Sequence, residues 1–141
     1  MDKEFYCYQC KSGLLPGHNY ATIVKIAWRV FKSAAAQTKR RPYIRSAYFR
    51  GEKIFLDNFW PHLNQKNPRD RWRRLHYFKC ALELVRNSRQ RPIFEQRDGR
   101  GHEALYRFLG QAAERLFIVQ IKEDLKRRQK FLMSMFEYSE K

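Results

Sequence analysis

Phe117-Ile118-Val119-Gln120-Ile121-Lys122, followed after a polar turn by Phe131-Leu132-Met133-Ser134-Met135-Phe136, is the stretch that decides the fold. In the first segment Phe117, Val119 and Ile121 alternate with Ile118, Gln120 and Lys122. In the second, Phe131, Met133 and Met135 alternate with Leu132, Ser134 and Phe136. A period of two is the signature of a strand that buries one face. With residues 104–109 as a preceding strand, and turns at Gly110 and at 124–128, the pattern predicts an antiparallel meander over 104–109, 116–122 and 129–137. One face of that sheet is apolar. The other mixes apolar residues with Gln120, Lys122 and Ser134.

Upstream the period changes. Ile23, Ile26, Ala27, Val30, Phe31 and Ala34 recur every three or four residues, so 19–40 reads as an amphipathic helix. Asn19 is its expected N-cap, and Pro42 follows its basic end. Tyr48-Phe49 and Ile54-Phe55 flank a turn at Gly51, which makes 43–57 a β-hairpin. Residues 58–67 form a short helix around Phe59, Trp60 and Leu63, with Pro61 in its first turn. A second long helix covers 69–87, where Trp72, Leu75, Phe78, Leu82 and Val85 share a face. Pro92, Gly99 and Gly101 mark 89–101 as a charged loop. The class is therefore α+β: N-terminal helices and a hairpin packed on a C-terminal antiparallel β-sheet. Residues 1–18 are a Cys-containing segment with turn composition, and 19–141 are one domain.

Charge narrows the function. Thirty Lys and Arg stand against 14 acids, a net +16, while 43% of residues are apolar and so suffice for a core. The cations cluster at 39–41, 69–74, 86–91, 97–100 and 126–130, on what reads as a folded surface. Such self-repulsion suits a polyanionic partner, RNA above all, better than a solubilising coat. No apolar run approaches a membrane span, so no membrane partner is expected. The opening residues lack the apolar core of a signal peptide, and three cysteines do not pair evenly; the expected compartment is a reducing cytoplasm.

The mixed face of the meander holds the first candidate site. Arg107, Lys122 and Ser134 fall on consecutive strands, close enough to meet one phosphate. Arg supplies a forked donor set, Lys a point charge, and Ser a rotatable hydroxyl. His102, just before the first strand, is the candidate for proton transfer because its ordinary pKa lies near neutrality. The alternative is that Lys122 and Ser134 are ordinary solvent-facing strand residues.

Four stretches then carry a resemblance: Leu75 to Ser88, Tyr106-Arg107-Phe108, Phe117 to Asp124, and Lys130 to Phe136. Together they resemble the barnase–EndoU–colicin–RelE group of nucleases, especially its phage- and mobile-element-associated members, over roughly residues 70–137. The resemblance implies a metal-independent ribonuclease, often a toxin, with Arg107, Lys122, Ser134 and Phe136 at matching places. RNA is then the substrate, whether tRNA, mRNA or rRNA, and an acidic antitoxin or immunity protein is the implied protein partner. The sequence departs from the pattern in lacking a second well-placed histidine. His76 serves only if its helix approaches the open sheet face.

Two further constellations stand outside the meander. Cys7-x-x-Cys10 with His18 is half a zinc signature; a redox pair or two inert thiols explain it equally, and no cofactor is required. Arg69, Arg71, Arg73, Arg74 and Arg86 are candidate phosphate contacts, interleaved with Trp60, Trp72, Tyr77 and Phe78. The spacing of Trp72 and Phe78 follows the core stripe. The sequence thus supports an endoribonuclease cleaving through the 2′-hydroxyl, or a non-catalytic nucleic-acid-binding protein using the same basic surface. A weaker third reading is a basic inhibitor docking on an acidic protein.

Overall fold

The computed structural model describes residues 6–139. Helix α1 spans Tyr20–Ala35, and the Asn19 side chain accepts a hydrogen bond from the Thr22 N–H at 2.9 Å. Ile23, Ala27 and Ala34 are buried beneath it, as the stripe requires. The helix stops before the predicted residue 40. There the Thr38 hydroxyl donates to the Ala35 carbonyl at 2.9 Å and satisfies a terminal acceptor. Strands β2 (Tyr43–Arg45) and β3 (Lys53–Phe55) form the predicted hairpin, but with short arms. Tyr48 and Phe49 lie in its connecting turn, where Arg50 and Gly51 take positive φ. Both aromatics turn inward to contact Phe108, and Phe49 also meets Tyr106.

Helix α2 is Phe59–Leu63. The predicted helix over 69–87 is two helices, α3 (Pro68–Leu75) and α4 (Phe78–Asn87). At the break, the Leu15 N–H donates to the His76 carbonyl at 2.9 Å, and His76 Nδ1 lies 2.7 Å from the Leu15 carbonyl. Leu75, Phe78, Leu82 and Val85 are buried on both sides of the break. The apolar stripe therefore stays in phase and gives no sign of it.

The remaining strands are β1 (Cys7–Gln9), β4 (Phe94–Arg97), β5 (Glu103–Ala112), β6 (Arg115–Asp124) and β7 (Gln129–Glu137). They join β2 and β3 in one seven-stranded sheet of order β1-β5-β6-β7-β3-β2, with β4 also on β5. The meander β5-β6-β7 is antiparallel, as expected. The sheet as a whole is mixed, which corrects the purely antiparallel expectation. β1 runs parallel to β5, Cys7 opposite Leu109, and β3 runs parallel to β7, Ile54 opposite Lys130. Gly110 is no turn: it lies inside β5, and the turn falls at Ala113 and Glu114, both at positive φ. A Cβ at Gly110 would come within 2.7 Å of Phe117 and 2.8 Å of Leu84, so only glycine lets α4 approach the sheet this closely.

One face of the sheet carries Tyr106, Phe108, Val119, Ile121, Leu132 and Met135 into the main core, which also takes the buried residues of all four helices. The other face holds a small apolar cluster of Cys7, Leu109 and Ile118, supported by strand and loop residues alone. The register of β7 shifts midway: Gln120 pairs with Ser134 but Ile121 with Leu132, leaving Met133 as the extra residue of a bulge. Strict alternation groups Leu132 with Ser134. The bulge separates them, sending Leu132 into the core and Ser134 to the other face.

The N-terminal segment is part of this domain. The Glu83 carboxylate on α4 accepts hydrogen bonds from the Ser12 N–H at 2.7 Å, the Lys11 N–H at 2.8 Å and the Tyr8 hydroxyl at 2.8 Å. Burial pushes the Glu83 pKa up, but hydrogen bonds from Ser12, Lys11 and Tyr8 outweigh it and hold it at about 2. A second polar knot ties the hairpin turn to the meander. Buried Lys130 pairs with Glu52 and, at 3.3 Å, with Glu123, which accepts from the Tyr106 hydroxyl at 2.7 Å.

The packing makes two outcomes measurable. Gly110→Ala forces a methyl against Phe117 and Leu84 and destabilises the fold by about 1–3 kcal/mol, whereas Gly99→Ala, with open space around it, leaves the melting temperature unchanged. The Glu83 carboxyl has a folded pKa below its usual 4.5, so its stabilisation is present above that value and lost as pH falls toward 2. Glu83→Gln lowers the melting temperature at neutral pH, and flattens its decline over that acid window, in a calorimetric series.

Candidate nucleic-acid site on the open sheet face

Arg107, Gln120 and Ser134 are directly opposite one another on β5, β6 and β7. Register alone therefore lines them up across three strands. Arg107 Nε donates to Gln120 Oε1 at 3.0 Å, and its guanidinium lies 5.1 Å from the Phe94 ring and 5.8 Å from the Phe136 ring. Lys122 sits two residues further along β6, opposite Leu105 and Phe131. Its ammonium is 2.9 Å from Glu103, in an ion pair whose partners are 38% and 54% exposed. Such a pair is worth about 0–1 kcal/mol and is readily exchanged for a phosphate. The structure thus gathers the three expected residues on the face away from the helices.

Arg74 completes the cluster. The sequence marks it only as a phosphate contact on a helix surface. α3 runs beside β7 beyond the point where pairing with β3 ends, and Arg74 reaches over the strand edge. Its Nη1 donates to the Ser134 hydroxyl at 2.5 Å, its Nε meets Asp70 at 3.1 Å, and its guanidinium lies 5.2 Å from Phe136. Asp70 stands one helical turn before Arg74, so a local pair orients a cation used at a distance. Ser134 is only 4% exposed under this cover.

His62, on α2, is the residue that sequence reasoning missed. Burial lowers its pKa below 6.5, and the nearby charges of Lys66, Arg74 and Lys122 lower it further. Both effects disfavour the protonated imidazole, and two of the charges responsible are cations of the cluster. The signal was absent because α2 and the meander are far apart in the chain and nothing local links them.

The expected proton-transfer residue does not join the cluster. His102 is exposed in the turn before β5, and its N–H donates to Asp98. It precedes Arg107 by five residues, about 17 Å of extended strand. His76 is engaged with Leu15 and stacks edge-on against Trp72. The other arginines disperse. Arg69 is exposed at the start of α3. Arg71 donates to the Asn64 and Lys66 carbonyls, each at 2.7 Å, and closes the end of α2. Arg73 is exposed beside a groove with Arg115 and Phe136. Arg86 lies on α4 in a groove with Arg29 and Lys79, among the helices. Phe78 and Tyr77 are buried and Trp60 and Trp72 pack against the core, the latter donating to the Gly17 carbonyl at 2.9 Å.

The zinc constellation is not assembled. Cys7 joins the apolar cluster on the open face, while Cys10 packs on the core side, its thiol 3.6 Å from the Cys80 carbonyl. His18 is exposed just before α1. A strand sends neighbouring side chains to opposite faces, and β1 with its continuation parts the two thiols. Among the described residues, no group of three or more His, Cys, Asp or Glu is arranged to hold a metal ion. Nor is any described helix long and apolar enough to cross a membrane.

Comparison with family models, with curated proteins and with solved structures found no match to this chain.

The geometry predicts a titration. The His62 ring protons, followed by NMR, shift with a midpoint below 6.5, and Lys122→Gln moves that midpoint upward by removing one of the repelling charges. A midpoint at or above 6.5 that ignores Lys122 would separate His62 from the cluster.

Proposed function

We propose that this chain is a metal-independent endoribonuclease, toxin- or effector-like, that cleaves RNA by attack of the 2′-hydroxyl on the adjacent phosphate. One observation carries the reading: Arg107, Lys122 and Ser134 share one sheet face, Arg74 donates to the Ser134 hydroxyl, and the charges of Arg74 and Lys122 help lower the pKa of His62. The chemistry needs a base for the 2′-hydroxyl proton, charge to stabilise the phosphorane, and a proton for the leaving 5′-oxygen. His62 takes the 2′-hydroxyl proton. Arg74 and Arg107 hold the non-bridging oxygens through forked donors, and Ser134 fixes their position. Lys122, released from Glu103 by the incoming phosphate, protonates the leaving oxygen. The products are a 2′,3′-cyclic phosphate and a free 5′-hydroxyl. The resemblance of residues 70–137 to the barnase–EndoU–colicin–RelE nucleases is a second support. A net charge of +16 is a third, and the reducing cytoplasm, where RNA is the abundant polyanion, is the compartment we infer.

A non-catalytic nucleic-acid-binding role is the competing reading. It is favoured by the Ser134 hydroxyl, which is already held by Arg74.

Incubation of the purified protein with total RNA separates the two. The nuclease gives discrete fragments with 2′,3′-cyclic ends, insensitive to EDTA. Lys122→Ala lowers the rate by about 10²-fold or more, the scale of one lost proton-transfer group. His62→Ala removes the acidic limb of the rate profile, which lies below pH 6.5 because the ring must be deprotonated to act as base. Intact RNA at stoichiometric protein, with only a salt-sensitive gel shift, would leave a binding protein.

A further inference from the structure

The open face continues past Lys122 toward the hairpin, and this part has no role in the proposed chemistry. Phe131, opposite Lys122, pairs in register with Phe55 on β3, which pairs with Tyr43 on β2. Three rings thus follow one another across three adjacent strands, with centroids 6.0 and 6.1 Å apart. All three are only half-buried. Cations accompany them. The Arg41 guanidinium lies 3.9 Å from the Phe55 ring and 5.7 Å from Phe131, and is held there by Asp57 at 2.9 Å. Lys53 is 4.7 Å from the Tyr43 ring. Tyr43 and Phe55 also line a groove whose rim is Lys39, Arg40, Arg41 and Lys53, with no acidic residue among its walls.

We propose that this strip is a docking track for single-stranded RNA, holding the nucleotides that flank the phosphate at Lys122 and Ser134. The substrate class follows from the chemistry of the strip. Unpaired bases stack on exposed rings and on guanidinium planes, whereas paired bases hide their faces inside the duplex. Lys39, Arg40 and Lys53 then meet the phosphates between stacked bases. Strands lie about 4.8 Å apart, so the three from β2 to β7, with β6 beyond, span roughly 14 Å, room for a few extended nucleotides. Two adjoining surfaces of the same sheet divide the work: one recognises an unpaired strand, the other acts on its backbone. The track rests on the nucleic-acid reading of this face but requires no cleavage by it.

The test uses fluorescently labelled oligouridylates with 2′-O-methyl riboses, which cannot be cut, measured by anisotropy with the full chain. Affinity rises with length until the track is covered and then levels. A duplex of equal length binds about tenfold more weakly or worse. Tyr43→Ala weakens the longer oligonucleotides by about tenfold, within the range for loss of one stacked base, while Tyr43→Phe retains wild-type binding. Replacing Lys39, Arg40 and Lys53 together by Ala lowers the salt slope of log Kd by about 0.7 for each phosphate that is no longer neutralised. Equal affinity of Tyr43→Ala and wild type, with unchanged thermal melting, overturns the track, as does equal binding of duplex. Unmodified uridine dinucleotide, too short to reach Tyr43, is the control for the nuclease reading. Its cleavage together with Tyr43-indifferent binding removes the track alone. Its survival, like that of longer unmodified RNA, together with Tyr43-dependent binding removes the nuclease alone.

Discussion

A sheet that packs helices on one side must put every second side chain somewhere else, and among the described residues that other side is met by a helix only where α3 reaches over the edge of β7. The period of two along β5, β6 and β7 commits Tyr106, Phe108, Val119 and Ile121 to the main core, where Leu84 and Val85 of α4 meet Phe108 and Ile121. The same alternation delivers Arg107, Gln120 and Lys122 to the opposite face, Arg107 directly opposite Gln120 and Lys122 two residues further along β6. The candidate site is therefore a by-product of the core. No separate loop is needed to present its cations, and the rigid ladder fixes their spacing. What the sheet does not supply comes over its edge: Arg74 and His62 lie on α3 and α2, beside the part of β7 that β3 leaves unpaired.

Much of this was legible in the sequence. The amphipathic stripe of α1, its Asn19 cap, the hairpin and the three long strands follow from periodicity and turn chemistry. Arg107, Lys122 and Ser134 followed from the same alternation. The parts that were not legible share a physical cause, in that their structure is decided by partners far away in the chain. β1 is too short and too Cys- and Tyr-rich to announce itself, and exists because β5 offers an edge. β4 is exposed at every position, so it shows no buried period at all. The α3–α4 break is made by Leu15, sixty-one residues away from His76. The separation of His102 from the cluster has the same origin. His102 is close to the strands in sequence, while His62 is close to them only in space.

The protein carries its excess charge without burying it alone. Lys130, 7% exposed, is met by two carboxylates and by the Phe49 ring at 4.6 Å, so its desolvation is offset from three directions. Arg41 and Arg74 are each held by a carboxylate and laid over aromatic rings. Placing cations against rings gives them a partner that does not neutralise them, which leaves the outward field of a +16 chain largely intact.

The bulge in β7 has an evolutionary reading. An extra residue in a half-buried strand ordinarily turns every following side chain over, which exchanges core for surface and ruins both. Here Met133 absorbs the shift locally, so the half of β7 holding Lys130 and Phe131 and the half holding Ser134 and Phe136 each keep their own alternation. The two halves are free to drift apart in sequence without disturbing one another's phase. Position 133 is accordingly where one residue can be lost inside the sheet with Ser134 still opposite Gln120 and Leu132 still opposite Ile121. The chain can thus change length by one residue in the middle of a strand, as well as in the loops where such change is normally sought.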